Sequence, residues 1–308
     1  MIRVAFFGTN DESVPALAAL AADTRFELVV VVTPPSKPSG RNQTYTPSSV
    51  ETYARTHGLS VTHASTVEAL RAQCETIDVG VVVSYGSILP KTTLAWATHG
   101  FINVHPSLLP RWRGAAPVPS TILNGDTETG VTILCMDAQM DHGPILWQNR
   151  RSLTGKETTP VLLQELMEEG AKHLPEILQE YVAGTRTSHP QQHDLATFSK
   201  KFTREDGRVN WTQHTEQIDR LVRAYAGWPG AWTEASKDGG EWQRLKITTA
   251  HMENFRNVVH DTEKIMDLSG HQLSIGTLVL DEIQFEGRRP QSGKQFAQTH
   301  QREQWRVR

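Results

Sequence analysis

The stretch that decides the fold is FINVHPSLLPRWRGAAPV, residues 101–118. Its first residues, Phe101–Val104, are predicted to form a buried β-strand, and a loop with three prolines and two arginines follows. Side chains two apart on a strand point to the same side, so Asn103 and His105 share a face at the carboxyl end of this strand. Asn donates two hydrogen bonds and His donates or accepts one, which suits a carbonyl oxygen that becomes an oxyanion. A polar loop that only satisfies its own backbone is the competing interpretation, and the pairing of the two residues before Pro106 favours function.

Strands of the same kind are predicted on both sides of this stretch. They are rich in Val and Ile and bounded by Gly, Pro or polar turns, at Ile2–Phe7, Phe26–Val32, Val79–Val83 and Val131–Met136. Helices are predicted between them, at Ser13–Ala22, Ser48–His57, Val67–Cys74 and Pro117–Leu123. This alternation predicts an α/β domain with a mainly parallel sheet that is covered on both faces. Ligands of such sheets bind at the carboxyl ends of the strands.

The second half of the chain has a different character. A long helix is predicted to start at Thr159, and a polar segment with few aliphatic residues follows at 184–211. After one more amphipathic helix come short alternating runs separated by glycine turns, which indicate a small β-barrel. A length of 308 residues also suits two domains. We therefore predict a catalytic domain at 1–185, a linker at 186–206 and a second domain at 207–308.

Composition narrows the class of protein. Hydrophobic residues make up 38% and charged residues 21%, the balance of a soluble globular protein, and a net charge of −3 means that any contact with a polyanion must be local. The two cysteines, Cys74 and Cys135, lie far apart and show no metal-ligand spacing, so we expect reduced thiols and no metal. No apolar run is long enough for a transmembrane helix, and a strand is predicted directly at the N-terminus. These features lead us to expect action in the cytoplasm, although a processed organellar protein would look the same.

A carboxylate is predicted to lie near the Asn–His pair. Asp137 and Asp141 follow the strand predicted at Val131–Met136, and such a carboxylate could orient His105 or handle a proton through water. Taken alone, Asp137 is better explained as a turn residue. The chain has no Gly-x-Ser-x-Gly elbow, no Walker A sequence and only one glycine where a dinucleotide fingerprint needs three. A site that contains Asn, His and Asp but no nucleophilic side chain fits a reaction in which an incoming amine attacks the acyl group directly.

Several stretches together resemble the methionyl-tRNA formyltransferase family, and they cover almost the whole chain. They are residues 6–17, 33–50, 84–90, 101–118, 128–146 and 207–232, with LDEIQFEGRRP at 280–290. The Asn-x-His-x-Ser-Leu-Leu-Pro run with a later Asp is highly specific for enzymes that use 10-formyltetrahydrofolate. The resemblance implies a Rossmann-like formyltransferase domain joined to a C-terminal OB-like β-barrel that binds tRNA. It also implies an enzyme of translation initiation that formylates the α-amino group of initiator methionyl-tRNA, and we expect a monomer.

The resemblance also implies roles for single residues. Asn103 and His105 would bind the formyl oxygen as the tetrahedral intermediate forms, and Asp141 would orient His105 and assist proton removal. The residues implied for the folate site are Ser107, Leu108, Leu109, Pro110, Ile88, Leu89 and Pro90. Arg41 matches a family position that reaches toward the acceptor end of tRNA. From their charge we also expect Lys37, Lys200, Lys201 and Arg204 along the tRNA path, with a solvated segment as the competing interpretation for the last three.

The sequence departs from the family pattern in two loops. Asn42, Gln43 and Thr44 stand after Arg41 where family members usually carry lysines, which reduces the positive charge available to tRNA. His142 stands for the usual Thr beside Asp141, and Gln139 for a common Gly.

Three other functions compete with this interpretation. An N-formyltransferase acting on an amino-sugar nucleotide would keep the chemistry and change the acceptor. An NAD-dependent oxidoreductase is disfavoured by the missing glycines, and a non-catalytic tRNA-binding module by the presence of Asn103, His105 and Asp141 together.

Overall fold

The computed structural model describes residues 1–36, 38–39, 44–64, 66–253, 265–268, 273–275 and 277–308. The chain forms two compact units, and each is made from several segments. The first unit comprises Met1–Pro117, Glu128–Ser152 and Leu163–Ser199. The second comprises Val118–Thr127, Leu153–Leu162 and Lys200–Arg308.

A seven-stranded sheet organises the described part of the first unit. The strands of this unit in chain order are β1 Ile2–Gly8, β2 Phe26–Val32, β3 Pro38–Ser39, β4 Thr44–Tyr45, β5 Val61–Thr62, β6 Val79–Val83, β7 Phe101–His105, β8 Arg113–Gly114, β9 Glu128–Cys135, β10 Ile145–Ser152 and β11 Phe198–Ser199. The sheet has the order β10-β9-β7-β6-β1-β2-β5, while β3 pairs with β4 and β8 with β11. β9 runs antiparallel to both β7 and β10, and the other pairs of the large sheet are parallel. The predicted mainly parallel sheet is thus confirmed.

Helices separate these strands along the chain. They are α1 Val14–Ala21, α2 Ser49–Thr56, α3 Val67–Arg71, α4 Lys91–Leu94, α5 Pro117–Asn124 and α6 Thr159–Val182. α2 begins where Ser48 caps it by accepting a hydrogen bond from the Glu51 amide. Residues of α5 after Pro117, and the first turn of α6, belong to the second unit. None of the described helices is both long and apolar enough to cross a membrane.

Aromatic packing under β7 holds its position in the sheet. The Phe7 ring meets Tyr85 and Phe101 edge-on, with ring centroids 5.4 and 5.5 Å apart. Gly80 on the neighbouring strand leaves room for Phe101, since a Cβ there would lie 2.3 Å from the Phe101 ring. Complete burial of rings of this size supplies a large apolar area, and each contributes roughly 1.5–3 kcal/mol. This packing places Asn103 and His105 on a rigid strand.

The second unit contains a curled antiparallel sheet of the predicted barrel type. Its elements after α6 are α7 Thr215–Ala224, β12 Ala231–Lys237, β13 Gln243–Met252, β14 Ile265–Met266, β15 Ser274–Ile275, β16 Leu278–Phe285, β17 Gln291–Ser292, α8 Gly293–His300 and β18 Trp305–Val307. The described strands follow the order β14-β18-β12-β13-β16-β15, with β17 beside β16. Phe285, Phe296 and Trp305 pack together in its core, with centroids 5.2–5.7 Å apart.

The structure differs from expectation in the segment predicted as a linker, 186–206. Residues up to Ser199 belong to the first unit, and Lys200 begins the second. Gln191 is only 5% exposed, and Phe198–Ser199 pairs with Arg113–Gly114. Hydrogen bonds of Gln191 and the β8–β11 pairing attach the first part of this segment, and the buried Phe202 ring packs against Tyr225 in its last part. Whether the chain behaves as domains at 1–185 and 207–308 stays a prediction.

Candidate active site

β7 carries the first two predicted site residues to the carboxyl edge of the sheet. Asn103 lies opposite Val82 of parallel β6 and Leu134 of antiparallel β9, and His105 lies opposite Thr132. Asn103 is half-buried and His105 is 5% exposed. Both side chains therefore share one face of a central strand, as the spacing predicts.

The structure brings Asp141 to this pair. Its Oδ1 accepts a hydrogen bond from Asn103 Nδ2 at 3.3 Å, and its Oδ2 lies 3.8 Å from His105 Nδ1. The Gly114 amide donates to the same Oδ2 at 2.7 Å. Asn103, His105 and Asp141, predicted from separate parts of the sequence, thus form one cluster.

A backbone carbonyl determines which nitrogen of His105 carries the proton. His105 Nε2 lies 2.9 Å from the Trp112 oxygen, and a carbonyl oxygen only accepts hydrogen bonds. The neutral ring therefore carries its proton on Nε2, which leaves Nδ1 as an acceptor. That free nitrogen is the one that faces Asp141, 3.8 Å away.

A two-residue strand fixes the amide that binds Asp141. β8 pairs in parallel with β11, and Ser199 Oγ donates to the Arg113 carbonyl at 3.0 Å. Gly114 has a φ of +108°, and a Cβ on it would come 2.5 Å from the backbone carbonyl oxygen of Ser199. Only glycine fits this backbone without displacing β11.

Two buried side chains beside Asp141 escaped the sequence analysis. Arg113 is 4% exposed, and its guanidinium donates to the side-chain oxygen of Gln191. Gln191 in turn donates to backbone oxygens of the Asp141 loop. No pattern in the sequence marks Gln191, which lies in a polar segment without periodicity.

Ser107–Pro110, expected at the folate site, is held from within the protein. The buried Ser107 hydroxyl donates to the Arg111 carbonyl at 2.7 Å, and Thr132 Oγ1 donates to the Ser107 carbonyl at 2.6 Å. Thr132 Oγ1 also accepts from the Leu109 amide, and Leu109 is buried. Leu108 and Pro110 are half-buried. These contacts leave the half-buried residues, rather than the Ser107 hydroxyl, available to a ligand.

The second segment expected at the folate site follows β6, the strand beside β7. Ile88 is 84% exposed, Pro90 is exposed, and Leu89 packs against the core of the first unit. Because β6 and β7 are parallel, this segment and His105 both follow the same edge of the sheet. The carboxyl edge of the sheet is therefore followed by an exposed apolar side chain after β6 and by polar side chains at the end of β7.

Two residues that depart from the family pattern, Gln139 and His142, lie in the same loop as Asp141. His142 Nδ1 lies 2.6 Å from Asp137 Oδ2, and its ring stacks on His193 with centroids 4.0 Å apart. The backbone N–H of Gln139 donates to Asp137 Oδ1, which makes Asp137 a turn residue. Gln139 itself is exposed.

Burial suppresses the nucleophiles near the end of β9. It raises the pKa of the Cys135 thiol, and together with the neighbouring Cys135 it raises the pKa of Tyr181 to about 12. Both groups are therefore protonated near neutral pH, and neither offers an anionic nucleophile. This agrees with a reaction that needs no covalent enzyme intermediate.

The cationic residues predicted for tRNA fall into two groups. Lys37 and Arg41 lie outside the described residues. Lys200, Lys201 and Arg204 are all exposed, and Lys200 also pairs with Asp206 at 2.5 Å.

Arg204 lines a cavity of about 270 Å³ in the second unit, together with Arg244, Lys246 and Glu286. Arg244 covers one face of Trp232, 3.8 Å from the ring centroid. Arg244 and Lys246 are cations of this cavity that the sequence analysis did not single out.

Comparison with known proteins identifies the family to which this chain is similar. Residues 2–178 match the family model described as Formyl transferase, and residues 201–301 match Formyl transferase, C-terminal domain. Methionyl-tRNA formyltransferase of Roseiflexus castenholzii is 40% identical over 299 residues, which are 94% of this chain and 93% of the relative. The enzyme of the same name from Chloroflexus aggregans is 39% identical, over 95% of each chain.

The chain belongs to the methionyl-tRNA formyltransferase family. The family assigns it to the transferases, and the sequence resemblance is confirmed over nearly its full length. The fold is also that of an N-formyltransferase from Helicobacter canadensis, solved in complex with folinic acid and dTDP-3-aminofucose. That structure superposes with a TM-score of 0.67 at 17% identity, covering 91% of this chain and 99% of the other. At this identity the likeness to the Helicobacter enzyme concerns the fold.

Proposed function

We propose that this member of the methionyl-tRNA formyltransferase family transfers the formyl group of 10-formyltetrahydrofolate to the α-amino group of initiator methionyl-tRNA. The observation that carries the proposal is the cluster of Asn103, His105 and Asp141 in a chain that is 40% identical to a methionyl-tRNA formyltransferase. The expected cytoplasmic location and monomeric state stay predictions.

Asn103 stabilises the charge that develops on the formyl oxygen. An Asn side chain has two N–H donors, and one of them faces Asp141 Oδ1 at 3.3 Å. The other is left for a substrate oxygen. A donor held on a rigid strand does not need to reorient during the reaction, so it favours the transition state over the ground state.

His105 and Asp141 handle the proton of the attacking amine. The free Nδ1 of neutral His105 accepts a proton, and the resulting imidazolium then has an acceptor on each side. These acceptors are the Trp112 carbonyl at 2.9 Å and the Asp141 carboxylate at 3.8 Å. The proton on Nδ1 then passes to the folate nitrogen as its bond to the formyl carbon breaks and tetrahydrofolate leaves. Asp141 thus orients the site and stabilises the charged form of His105.

The residues at the sheet edge fit a folate donor. Ile88, 84% exposed in the segment that follows β6, offers the apolar surface that an aromatic pterin ring would cover. Leu89 and Pro90 continue that surface, and the backbone of Leu108–Pro110 would form the opposite wall. The donor supplies an activated formyl group, and the folinic acid bound by the Helicobacter canadensis enzyme supports a folate in this fold.

Cations of the second unit provide a surface for tRNA phosphates. Arg204, Arg244 and Lys246 line one cavity that contains one carboxylate, Glu286. Three cations against one anion give this patch a positive charge, although the whole chain carries −3. Such patches bind the phosphate backbone without reading sequence. Lys37, Arg41, Lys200 and Lys201 stay predicted contributors.

The deciding experiment offers both acceptor classes to one enzyme preparation. Formyl transfer from 10-formyltetrahydrofolate is measured with initiator methionyl-tRNA and, separately, with an amino-sugar nucleotide. We expect turnover with the tRNA alone. Turnover with the sugar nucleotide and none with the tRNA would refute the proposed acceptor while retaining the chemistry.

A further inference from the structure

Asp141 lies in the loop between β9 and β10 with a backbone conformation that needs support from outside the loop. Its φ is +50°, in the left-handed region that side chains with a Cβ rarely adopt. Because its carboxylate approaches Asn103 and His105, a small rotation of this backbone would move both contacts. The geometry of the proposed catalytic cluster therefore depends on how this loop is held.

Gln191 holds this loop by its backbone. Its Nε2 donates to the Asp141 carbonyl at 2.8 Å and to the Gly143 carbonyl at 2.7 Å. One side chain thus binds the loop on both sides of His142. Gln191 is 5% exposed, so water does not compete freely for these hydrogen bonds.

Arg113 fixes the orientation of the Gln191 amide. Gln191 Oε1 accepts from Arg113 Nε at 3.1 Å and from a terminal guanidinium nitrogen at 2.7 Å. Arginine has only donors and backbone carbonyls only accept, so the amide fits in one orientation. The same terminal nitrogen also lies 2.8 Å from His193 Nδ1, which accepts from it. Next to Arg113, the Gly114 amide binds the Asp141 carboxylate directly.

We propose that Gln191 is a positioning residue of formyl transfer. It holds the Asp141 peptide so that the carboxylate faces Asn103 and His105, and Arg113 orients it for this task. The inference rests on the proposed function, in which Asp141 acts with His105. It assigns a role in the reaction to a residue beyond the sheet, at position 191 of a segment that the sequence presents as a polar connection.

Gln191→Glu tests this role, because it replaces only the side-chain NH2 group by an oxygen. A carboxylate keeps the partner of Arg113 and makes it an ion pair, so the buried guanidinium stays satisfied. The same carboxylate has no N–H to donate to the Asp141 and Gly143 carbonyls. We expect kcat to fall about 10- to 100-fold, the effect of displacing a reacting group by about 1 Å, with little change in KM for 10-formyltetrahydrofolate. Gln192→Glu, the same substitution at the exposed neighbour, should leave both constants unchanged.

A double-mutant cycle separates positioning from general stability. Gln191→Glu is combined with Asp141→Asn, and kcat and the melting temperature are measured for all four proteins. If Gln191 acts through the Asp141 carboxylate, Gln191→Glu should cost much less in kcat when that carboxylate is already absent. The same fold-loss in both backgrounds, or no loss in either, would overturn the inference. Should Gln191→Glu not fold, Gln191→Asn, whose amide is one methylene shorter, takes its place with the same two outcomes.

The cycle also distinguishes this inference from the proposed function. Full turnover of Asp141→Asn by itself would remove the role proposed for Asp141. A slow Asp141→Asn protein with an unimpaired Gln191→Glu protein would overturn the positioning role alone.

Discussion

Replacing Asn103 by alanine should separate catalysis from folding, because the two effects differ in size. The hydrogen bond lost to the protein is the long one to Asp141 Oδ1, 3.3 Å. A typical hydrogen bond contributes about 0.5–1.5 kcal/mol to stability, so this substitution should lower the melting temperature only slightly. Removal of one oxyanion donor costs about 2.7–4 kcal/mol in the transition state, a factor of ~10²–10³ in kcat. The catalytic loss should therefore exceed the stability loss.

The assay is the rate of formylation of methionyl-tRNA at saturating 10-formyltetrahydrofolate, measured together with thermal unfolding and folate affinity. Asn149→Ala is the matched control. Asn149 Nδ2 donates to Glu169 Oε1 at 2.7 Å on the exposed surface, so its loss should lower stability only slightly and leave kcat unchanged. Full turnover of Asn103→Ala, or an equal loss in both variants, would refute the role of Asn103 as an oxyanion donor.

Three further predictions concern the partner, the boundary and pH. Affinity for methionyl-tRNA should fall steeply as the salt concentration rises, with a slope of log K against log salt of roughly 0.7–0.9 for each phosphate contacted, while folate affinity changes much less. Arg41→Lys should impair formylation, because lysine cannot bind phosphate with two parallel hydrogen bonds. A flat salt response with an unimpaired Arg41→Lys protein would favour a small-molecule acceptor. Limited trypsin digestion should cut first at Lys200, Lys201 or Arg204, and early cleavage only within 1–180 would contradict this boundary. Hydrogen bonds from Lys200 and Thr203 lower the pKa of Asp206 to about 2, so its stabilising effect should be complete above about pH 4 and lost as the pH falls towards 2. The difference in unfolding free energy between the unmodified enzyme and Asp206→Asn, measured by denaturant titration, should shrink over that range, and a constant difference would show that the effect is not ionic.

Much of the site follows from local rules. The two-residue repeat of a strand is enough to put Asn103 and His105 on one face, and buried strands rich in Val and Ile predict the sheet beneath them. The antiparallel direction of β9 does not follow from those rules, because a buried strand has the same apolar pattern in either direction.

The remaining features depend on distant contacts. The protonated nitrogen of His105 is set by the carbonyl of Trp112, a residue seven positions further along the chain whose φ is +59°. Gln191 is buried through hydrogen bonds with Arg113 and two carbonyls, and no hydropathy pattern predicts such burial. α8 was likewise not expected, since only Gly293, Phe296 and Ala297 of its eight residues are buried.

The pairing of β8 with β11 has a practical consequence for anyone who clones the catalytic half alone. A gene fragment that stops at residue 178, where the first family match ends, or at 185 would encode the whole large sheet. It would nevertheless omit Gln191 and the Ser199 backbone against which Gly114 is fitted, along with the Thr197 hydroxyl that accepts from the Trp112 amide at 2.9 Å. The smallest fragment with every described contact to Asp141 ends at Gln191, and one that also keeps β8 paired must include Ser199.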